Sequence, residues 1–330
     1  MAKARASLAL SSVPKKLPCR EKERHEIRSF VEEAIRAASS EGNCQGRCLY
    51  ISGVPGTGKT ATEMEVLREL RKEAANKKIY PFQFVEINGL RLPSPQHAYS
   101  VLYESLAGRY VSPSQAAEFL EEHFKSKRQP NGRGCKQSKK QSEVTILLVD
   151  ELDLLVTRKQ DVLYNIFDWP TYKNARVAVI GIANTMDLPE RLLPRIISRM
   201  GLTRLQISPY PREQIATITQ PRLEGVDCFD SRAVEFTSRK VASVSGDVRR
   251  ALEICRKAAE IRQLKAQKLL DSTCVEEKQA AEDSPETWTD TIADVDKAIK
   301  EMDDSAHMLL IKSISVHERV MLVALAIAIR

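Results

Sequence analysis

The hydrophobic and polar positions of the chain follow two different periods. Apolar residues recur every three or four positions through residues 20–38, which predicts an amphipathic helix with one buried face. The residues on that face are Ile27, Phe30, Val31, Ala34 and Ile35. Short runs of consecutive apolar residues follow, and runs of that length predict buried strands. The runs are RCLYISG, FQFVEIN, VTILLVD, VAVIGIAN and LTRLQIS.

Helical patterns separate these strands along the chain. They are KTATEMEVLRELRKEAA, SPQHAYSVLYESLAG, KQDVLYNIFDW and PERLLPRIISRM. Apolar strands that alternate with helices indicate a parallel sheet covered on both faces. The sequence therefore predicts an α/β domain.

Strand patterns stop after SPYP, and the rest of the chain predicts helices. Three of these are REQIATITQ, which Pro221 is expected to interrupt, DSRAVEFTSRKVASVSG and GDVRRALEICRKAAEIRQLKAQ. An all-helical second domain is expected. Residues 271–290 are acidic and poor in aliphatic side chains, so they predict a flexible loop.

The last segment contains a run of ten apolar residues, VMLVALAIAI. This run is too short to span a bilayer, so it predicts a core helix and no membrane association. Ser315, with Glu318 three residues later, predicts a capping box at the start of this helix.

Composition adds little to this picture. The net charge of +7 is a mild bias toward polyanionic partners, and the seven cysteines include no C-x-x-C pair. Seven lysines and arginines lie within residues 125–140, which predicts a solvated surface loop, with contact to a phosphate backbone as the alternative.

Candidate chemistry begins with the segment GVPGTGKTAT. Gly53, Gly58, Lys59 and Thr60 satisfy the pattern G-x-x-x-x-G-K-[ST], and the segment lies between a predicted strand and a predicted helix. Backbone N–H groups of such a loop surround a phosphate, the lysine reaches the β- and γ-oxygens, and the threonine hydroxyl binds Mg²⁺. A chance glycine-rich turn is the alternative.

Polar residues follow two of the predicted strands. Asp150 ends VTILLVD and is suited to hold Mg²⁺, and Glu151 is suited to act as a general base toward water. Asn184 ends VAVIGIAN and can orient that water or contact the γ-phosphate. Solvated acids at a strand end and a turn-forming asparagine are the alternatives.

Arg249 lies in the first turn of a predicted helix that starts near Asp247. A cation there opposes the helix dipole unless an anion compensates it. The γ-phosphate is the candidate anion, and a surface salt bridge is the alternative.

The order of these parts resembles the AAA+ ATPases. The segments YISGVPGTGKTAT, DELDLLVTRKQDVLYNIFDWP, ANTMDLPERLLPRIISRMG and VSGDVRRALEICRKAAE are similar to the large-subunit family of the eukaryotic origin recognition complex, in the initiator clade. The resemblance covers about residues 13–300. It implies an AAA+ P-loop domain followed by a helical lid, and a nuclear protein that binds ATP and Mg²⁺.

The resemblance also implies partners and site residues. The partners are origin DNA, other subunits of the complex, a helicase-loading ATPase and the minichromosome maintenance helicase. Asp150 and Glu151 match the Mg²⁺ and hydrolysis pair, Asn184 the first sensor and Arg249 the second. The residues that match the phosphate loop are Gly53, Val54, Pro55, Gly56, Thr57, Gly58, Lys59, Thr60 and Ala61.

Four further residues take roles from the resemblance alone. Val13 matches an apolar position that packs on adenine. Arg199 resembles the arginine finger that completes a neighbour's site, with Arg195 as the alternative. Arg91 lies in a segment that aligns with the DNA-facing helix of initiators, with surface salt bridging as its alternative role.

The expected domains are a basic segment (residues 1–12), the AAA+ base domain (13–208), the lid (209–305) and the first helix of a truncated winged-helix domain (306–330). The expected function is an ATP-dependent assembly switch with slow hydrolysis. A paralogous helicase-loading ATPase, a clamp-loader-type motor and a non-catalytic interaction fragment remain alternatives.

Overall fold

Five parallel strands form the sheet that positions the candidate site. A computed structural model of the chain describes residues 18–39, 47–125, 144–172, 175–201, 203–223, 230–272, 292–303 and 313–328. The strands are β1 (Arg47–Ser52), β2 (Phe82–Asn88), β3 (Val144–Asp150), β4 (Val177–Ala183) and β5 (Arg204–Gln206). Their order is β2-β3-β4-β1-β5, and each neighbouring pair is parallel. All predicted strands are confirmed, although β5 is only three residues long.

The central strands are buried on both faces, as their continuous apolar sequences predict. Leu147 and Val149 of β3 pack into the core on one face of the sheet. Ile146 and Leu148, which alternate with them, pack into the core on the other face. Because the strands are parallel, the residues that follow β1, β3 and β4 meet at one edge of the sheet.

Helices cover both faces of this sheet. Within residues 18–209, they are α1 (Glu21–Ser39), α2 (Lys59–Ala75), α3 (His97–Ala107), α4 (Pro113–Lys125), α5 (Asp161–Asp168), α6 (Leu188–Arg191) and α7 (Pro194–Met200). Short 3-10 helices span Gly89–Arg91, Leu152–Leu155 and Trp169–Thr171. The predicted inner face of α1 is confirmed, since all five of its apolar residues are buried.

Contacts between residues divide the chain after Pro209. The described part of the second unit consists of helices: α8 (Arg212–Leu223), α9 (Ser231–Val244), α10 (Val248–Ser272), α11 (Ile292–Asp303) and α12 (Val316–Ala328). Residues of α8 to α11 share a separate hydrophobic core that includes Ile215, Leu252 and Val295. Buried Asp294 of that core pairs with Arg262 and Lys265 of α10.

The structure corrects two predicted helices. The segment PERLLPRIISRM forms two helices, because Pro194 has no N–H to donate and starts α7 instead of continuing α6. Pro221 was predicted to interrupt its helix, yet α8 continues through it to Leu223. Only two residues follow Pro221 in α8, so the missing hydrogen bond falls in the last turn.

Two other predictions concern the end of the chain. The capping box is confirmed, since the Ser315 hydroxyl and N–H both donate to Glu318, at 2.8 and 2.9 Å. The prediction of a core helix is wrong within the described residues, because the apolar side chains of α12 are exposed; Val320, for example, is 63% exposed. Apolar composition predicts burial only where another apolar surface covers the helix.

Helix α4 was not predicted, although Ala116, Leu120 and Phe124 recur at helical spacing and are buried. Residues 271–272 belong to α10, and the rest of the predicted acidic loop lies outside the described residues, as does most of the basic segment 125–140. Among the helices of the described ranges, none combines the length and the apolarity needed to cross a membrane.

Candidate functional site

The glycine loop joins β1 to α2 at the carboxyl edge of the sheet. Gly56 and Gly58 have φ angles of 79° and 83°, in the left-handed region that glycine adopts at little cost. Buried Thr57 stabilises the turn through a 2.8 Å hydrogen bond from its hydroxyl to the Val54 carbonyl oxygen. The loop predicted from the sequence therefore has the strand–turn–helix geometry that a phosphate loop requires.

Lys59 is the first residue of α2, and its side chain is only 6% exposed. Its Nζ donates to the carbonyl oxygens of Gly53 and Val54, at 2.7 and 3.1 Å, and to Asn184 Oδ1, at 2.8 Å. A buried ammonium needs such acceptors, because loss of hydration is costly. Two of these acceptors belong to the loop itself, so the lysine lies against the loop that the sequence predicts to bind phosphate.

Asp150 and Thr60 face each other across the sheet edge. The Thr60 hydroxyl donates to Asp150 Oδ2 at 3.0 Å, and the Glu151 N–H donates to Asp150 Oδ1 at 3.0 Å. Glu151 has a φ of 56°, which is uncommon for a residue with a side chain and marks a constrained turn directly after β3.

Asn184 connects the two halves of this edge. Its Oδ1 accepts from Lys59, and its Nδ2 donates to Glu151 Oε2. Lys59, Asn184 and Glu151 therefore form one chain of hydrogen bonds, and Thr60 and Asp150 form a second pair beside it. Sequence reasoning selected all five residues, and the structure brings them together.

Three residues near this edge were not predicted. Arg20, which is 3% exposed, donates from Nη2 to the carbonyl oxygens of Thr57, at 3.2 Å, and Ser208, at 2.6 Å. Asp153 accepts hydrogen bonds from the Asn184 N–H and the Thr185 hydroxyl. These are contacts between distant segments, and periodicity or spacing gives no signal for them.

The third unexpected residue is Glu63, one turn after Lys59 in α2. Its side chain is fully buried, and neither carboxylate oxygen has a hydrogen-bond partner among the described residues. Burial, followed by the charges of Asp150 and Glu86, raises the pKa of Glu63 well above its ordinary value. The neutral acid is therefore the favoured form of this side chain.

The donor set at the sheet edge fits Mg²⁺ and a triphosphate. Thr60 and Asp150 supply a hydroxyl and a carboxylate, the oxygen ligands that Mg²⁺ prefers. No group of three or more His, Cys, Asp or Glu residues that could hold a metal occurs in the described ranges. Mg²⁺ commonly combines one or two protein ligands with substrate phosphates, so the pair Thr60–Asp150 is compatible with such a site.

Other predicted site residues lie elsewhere. Arg199 of α7 forms an ion pair with Asp168, and its Nη2 donates to the Tyr164 hydroxyl at 3.0 Å. The guanidinium carbons of Arg195 and Arg199 lie 5.0 and 5.1 Å from the centre of the Tyr164 ring. The two arginines therefore share one aromatic support, at 53% and 35% side-chain exposure.

Arg91 is exposed at the end of the 3-10 helix that follows β2. In the second unit, Arg249 is exposed in the first turn of α10, and its N–H donates to Asp247 Oδ1 at 2.8 Å. That contact is a side-chain cap and confirms the predicted helix start. Val13 lies outside the described residues. The roles of all four arginines and of Val13 stay predictions.

Comparisons with known proteins place this geometry in a wider group. Residues 49–205 match the family model of the ATPase family associated with various cellular activities (AAA), and residues 226–270 match the AAA lid domain. Helices α9 and α10 of the second unit therefore lie largely in the region that matches a lid, and the predicted AAA+ domain followed by a helical lid is confirmed.

Individual proteins are similar over nearly the whole chain. Origin of replication complex subunit 1 of Oryza sativa subsp. japonica is 47% identical over 98% of this chain, and origin recognition complex subunit 1 of Homo sapiens is 43% identical over 96%. The chain spans only 37% and 33% of the length of these two relatives.

Solved structures agree with these relatives. A chain in the structure of Drosophila ORC bound to DNA is 41% identical, with a TM-score of 0.74; the match covers 99% of this chain and 72% of that chain. The Aeropyrum pernix ORC1 protein in complex with DNA is 24% identical with a TM-score of 0.67, over 98% of this chain and 75% of that one, and shows a shared fold.

Proposed function

Because the chain belongs to the origin recognition complex subunit 1 family of AAA ATPases, we propose that it is an ATP-binding subunit of an origin recognition complex. In this role it binds origin DNA in the nucleus and helps a helicase-loading ATPase to load the minichromosome maintenance helicase. ATP binding stabilises the assembly with other subunits, and slow hydrolysis resets it.

The observation that carries the proposal is the chain of hydrogen bonds from Lys59 through Asn184 to Glu151. It joins a phosphate-binding lysine to a general base through an amide that can touch the γ-phosphate. A site that only bound nucleotide would have no need for a base at this point. This arrangement supports hydrolysis as well as binding.

Each residue has a distinct task in the proposed reaction. Lys59 exchanges its carbonyl partners for the β- and γ-phosphate oxygens, and the glycine loop surrounds the β-phosphate. Thr60 and Asp150 hold Mg²⁺, which when bound neutralises charge on the phosphate oxygens. Glu151 Oε2 accepts the proton of the attacking water, and Asn184 positions that water.

The remaining residues act around this centre in the proposal. Val13 packs on adenine, and Arg249 of the lid contacts the γ-phosphate. Arg199, with Arg195 beside it, supplies positive charge to the nucleotide of a neighbouring subunit. Arg91 contacts the DNA backbone. The role of Val13 follows from the family alone, and those of the four arginines follow from the family and from their charge and exposure.

Lys59→Ala tests the proposal. We expect the variant to lose most ATP affinity, about a hundredfold, because the charge-assisted contacts to two phosphates disappear. ATP-dependent DNA binding and ATP-dependent association with partner subunits should be lost together. Size-exclusion chromatography of the assembled subunits with and without ATP measures the second effect.

Lys72→Ala is the matched control, because Lys72 lies on the same helix but is exposed. It should leave nucleotide binding and assembly unchanged. If Lys59→Ala assembles with the same dependence on ATP as the unmodified chain, the proposed switch is refuted.

A further inference from the structure

Asp153 lies in the 3-10 helix Leu152–Leu155, just after the acidic pair at the end of β3. Its carboxylate accepts two hydrogen bonds from the segment that follows β4. Oδ2 accepts from the Asn184 N–H at 2.8 Å, and Oδ1 accepts from the Thr185 hydroxyl at 2.5 Å. One carboxylate therefore holds two consecutive residues that are 31 and 32 positions away in sequence.

A second side chain contacts the same segment. The Tyr50 hydroxyl of β1 donates to the Thr185 carbonyl oxygen at 3.1 Å. Burial, and then the charge of Asp153, raises the pKa of Tyr50, so its hydroxyl keeps the proton that it donates. The backbone of Asn184 and Thr185 is thus fixed by side chains from two other elements.

This support matters because of what the Asn184 side chain does. Its amide oxygen accepts from Lys59 Nζ, and its amide nitrogen donates to Glu151. Both contacts depend on the position of the Asn184 backbone, and a displacement of about 1 Å at such a site strongly weakens catalysis. Asp153 itself is hydrogen-bonded to neither Lys59 nor Glu151 among the contacts of the described residues.

We propose that Asp153 is a positioning residue that holds Asn184 where its amide can distinguish ATP from ADP. The inference rests on the proposed function, since it assigns a task to a residue that supports the same nucleotide site. Asp153 acts through Asn184 and does not touch the nucleotide. In this proposal, the preference of the chain for ATP over ADP depends on the Asp153 carboxylate, which holds the backbone of Asn184.

The proposed positioning depends on the carboxylate group of Asp153. Both of its oxygens act as acceptors, toward an N–H and toward a hydroxyl. An asparagine at this position keeps one acceptor oxygen for the Asn184 N–H, but its NH₂ group can only donate, so the Thr185 hydroxyl must turn and accept instead. Asp153→Asn should therefore keep the size of the side chain but lose the stronger hydrogen bonds of a charged acceptor, and with them part of the positioning.

The experiment compares nucleotide affinities in the full chain. Calorimetry in the presence of Mg²⁺ gives the dissociation constants of ADP and of a non-hydrolysable ATP analogue. The proteins compared are the unmodified chain, the single variants Asp153→Ala, Asp153→Asn and Asn184→Ala, and the double variant that combines Asp153→Asn with Asn184→Ala. Glu122→Ala is the control, because Glu122 is an exposed acid on α4 of the same unit.

We expect Asp153→Ala and Asp153→Asn to reduce the preference for the ATP analogue over ADP by about threefold to tenfold, the effect of one or two hydrogen bonds. Affinity for ADP should be unchanged. The double variant should resemble Asn184→Ala alone, since Asp153 has nothing left to position. Hydrogen exchange of peptides that contain Asn184 should become faster in both Asp153 variants.

Three results would overturn the inference: an unchanged preference, an equal loss of affinity for both nucleotides, or additive effects in the double variant. The last two would indicate a general structural role for Asp153. If the unmodified chain bound neither nucleotide, the proposed function would fall together with the sensing role. Binding by the unmodified chain with an unaltered preference in the Asp153 variants would refute the positioning role alone.

Discussion

Helix α2 carries two buried ionisable side chains, one turn apart, that differ in their hydrogen bonding. Lys59 donates hydrogen bonds to two loop carbonyl oxygens and to Asn184. Glu63 is buried more completely, and its two oxygens have no hydrogen-bond partner among the described residues. The polar side chains at the carboxyl edge of the sheet thus hydrogen-bond one another, whereas the acid one turn further along α2 has no such partner.

The difference separates polar side chains that hydrogen-bond one another from a buried acid whose oxygens have no hydrogen-bond partner among the described residues. Lys59, Asn184 and Glu151 form one chain of hydrogen bonds, so each helps to fix the position of the next. Burial, and then the charges of Asp150 and Glu86, raise the pKa of Glu63, and no described residue donates a hydrogen bond to it. Four predictions follow from this contrast.

The largest effect is expected at the satisfied edge. Asp150→Asn should weaken binding of Mg²⁺–ATP by about a hundredfold, because the metal loses a charged ligand. Binding of ATP in the presence of EDTA should change much less, since Lys59 and the loop remain. Titration of a fluorescent ATP analogue with and without Mg²⁺ measures both. An equal loss in the two conditions would mean that Asp150 holds the loop rather than the metal.

A smaller effect, an increase in stability, is expected from a substitution of Glu63. Glu63→Leu should raise the free energy of unfolding at pH 7.5 by about 1–3 kcal/mol, because an apolar side chain of similar size removes an unsatisfied buried group. Urea denaturation followed by circular dichroism measures the change, with Glu122→Leu as the exposed control. A destabilised Glu63→Leu variant would indicate that the acid has a compensating partner.

The pH dependence of stability should identify the same group. Below about pH 4.3, Glu63 is protonated in both the folded and the unfolded chain and contributes no pH dependence. Above that pH the unfolded chain releases the proton while the folded chain keeps it. The contribution of Glu63 to stability therefore falls as pH rises, by at most about 1.4 kcal/mol per pH unit, until the raised pKa is reached.

Comparing urea denaturation at several pH values for the unmodified chain and for Glu63→Gln isolates this contribution. The difference in unfolding free energy between the two chains should grow in favour of Glu63→Gln from pH 5 toward neutral pH. A constant difference over this range would show that the folded chain does not bind the extra proton.

The smallest effect is expected from Tyr50→Phe, which removes one neutral hydrogen bond from the satisfied edge. We expect a loss of about 0.5–1.5 kcal/mol in unfolding free energy, the usual net value of such a bond. Thermal denaturation measures it. A larger loss than the gain from Glu63→Leu would reverse the ranking proposed for the two regions.

Much of the site could be predicted because its residues follow strands directly. The glycine loop, Asp150, Glu151 and Asn184 come at the ends of apolar runs, and parallel strands bring such ends to one edge. Helix α4 had an equally clear period in Ala116, Leu120 and Phe124, so it was readable although it was not predicted.

Other features depend on contacts that no local pattern encodes. The periodicity of α2 gives no reason to bury Glu63. Asp153 and Arg20 gain their importance only from residues on distant segments. The apolar sequence of α12 predicted burial, whereas its side chains are exposed, because composition does not show which surface covers a helix. Sequence patterns predict the position of a residue within an element better than they predict its partners.

The guanidinium of Arg20 connects two segments of the chain that are distant in sequence. Its Nη2 atom donates hydrogen bonds to the backbone oxygens of both Thr57 and Ser208. The tip of the glycine loop and the end of the first unit, at Pro209, are therefore linked through one nitrogen atom. A tether this short tolerates only a few tenths of an ångström of slack before one grip is released. A displacement of Ser208 would therefore have to break one of these hydrogen bonds or move the Thr57 backbone with it.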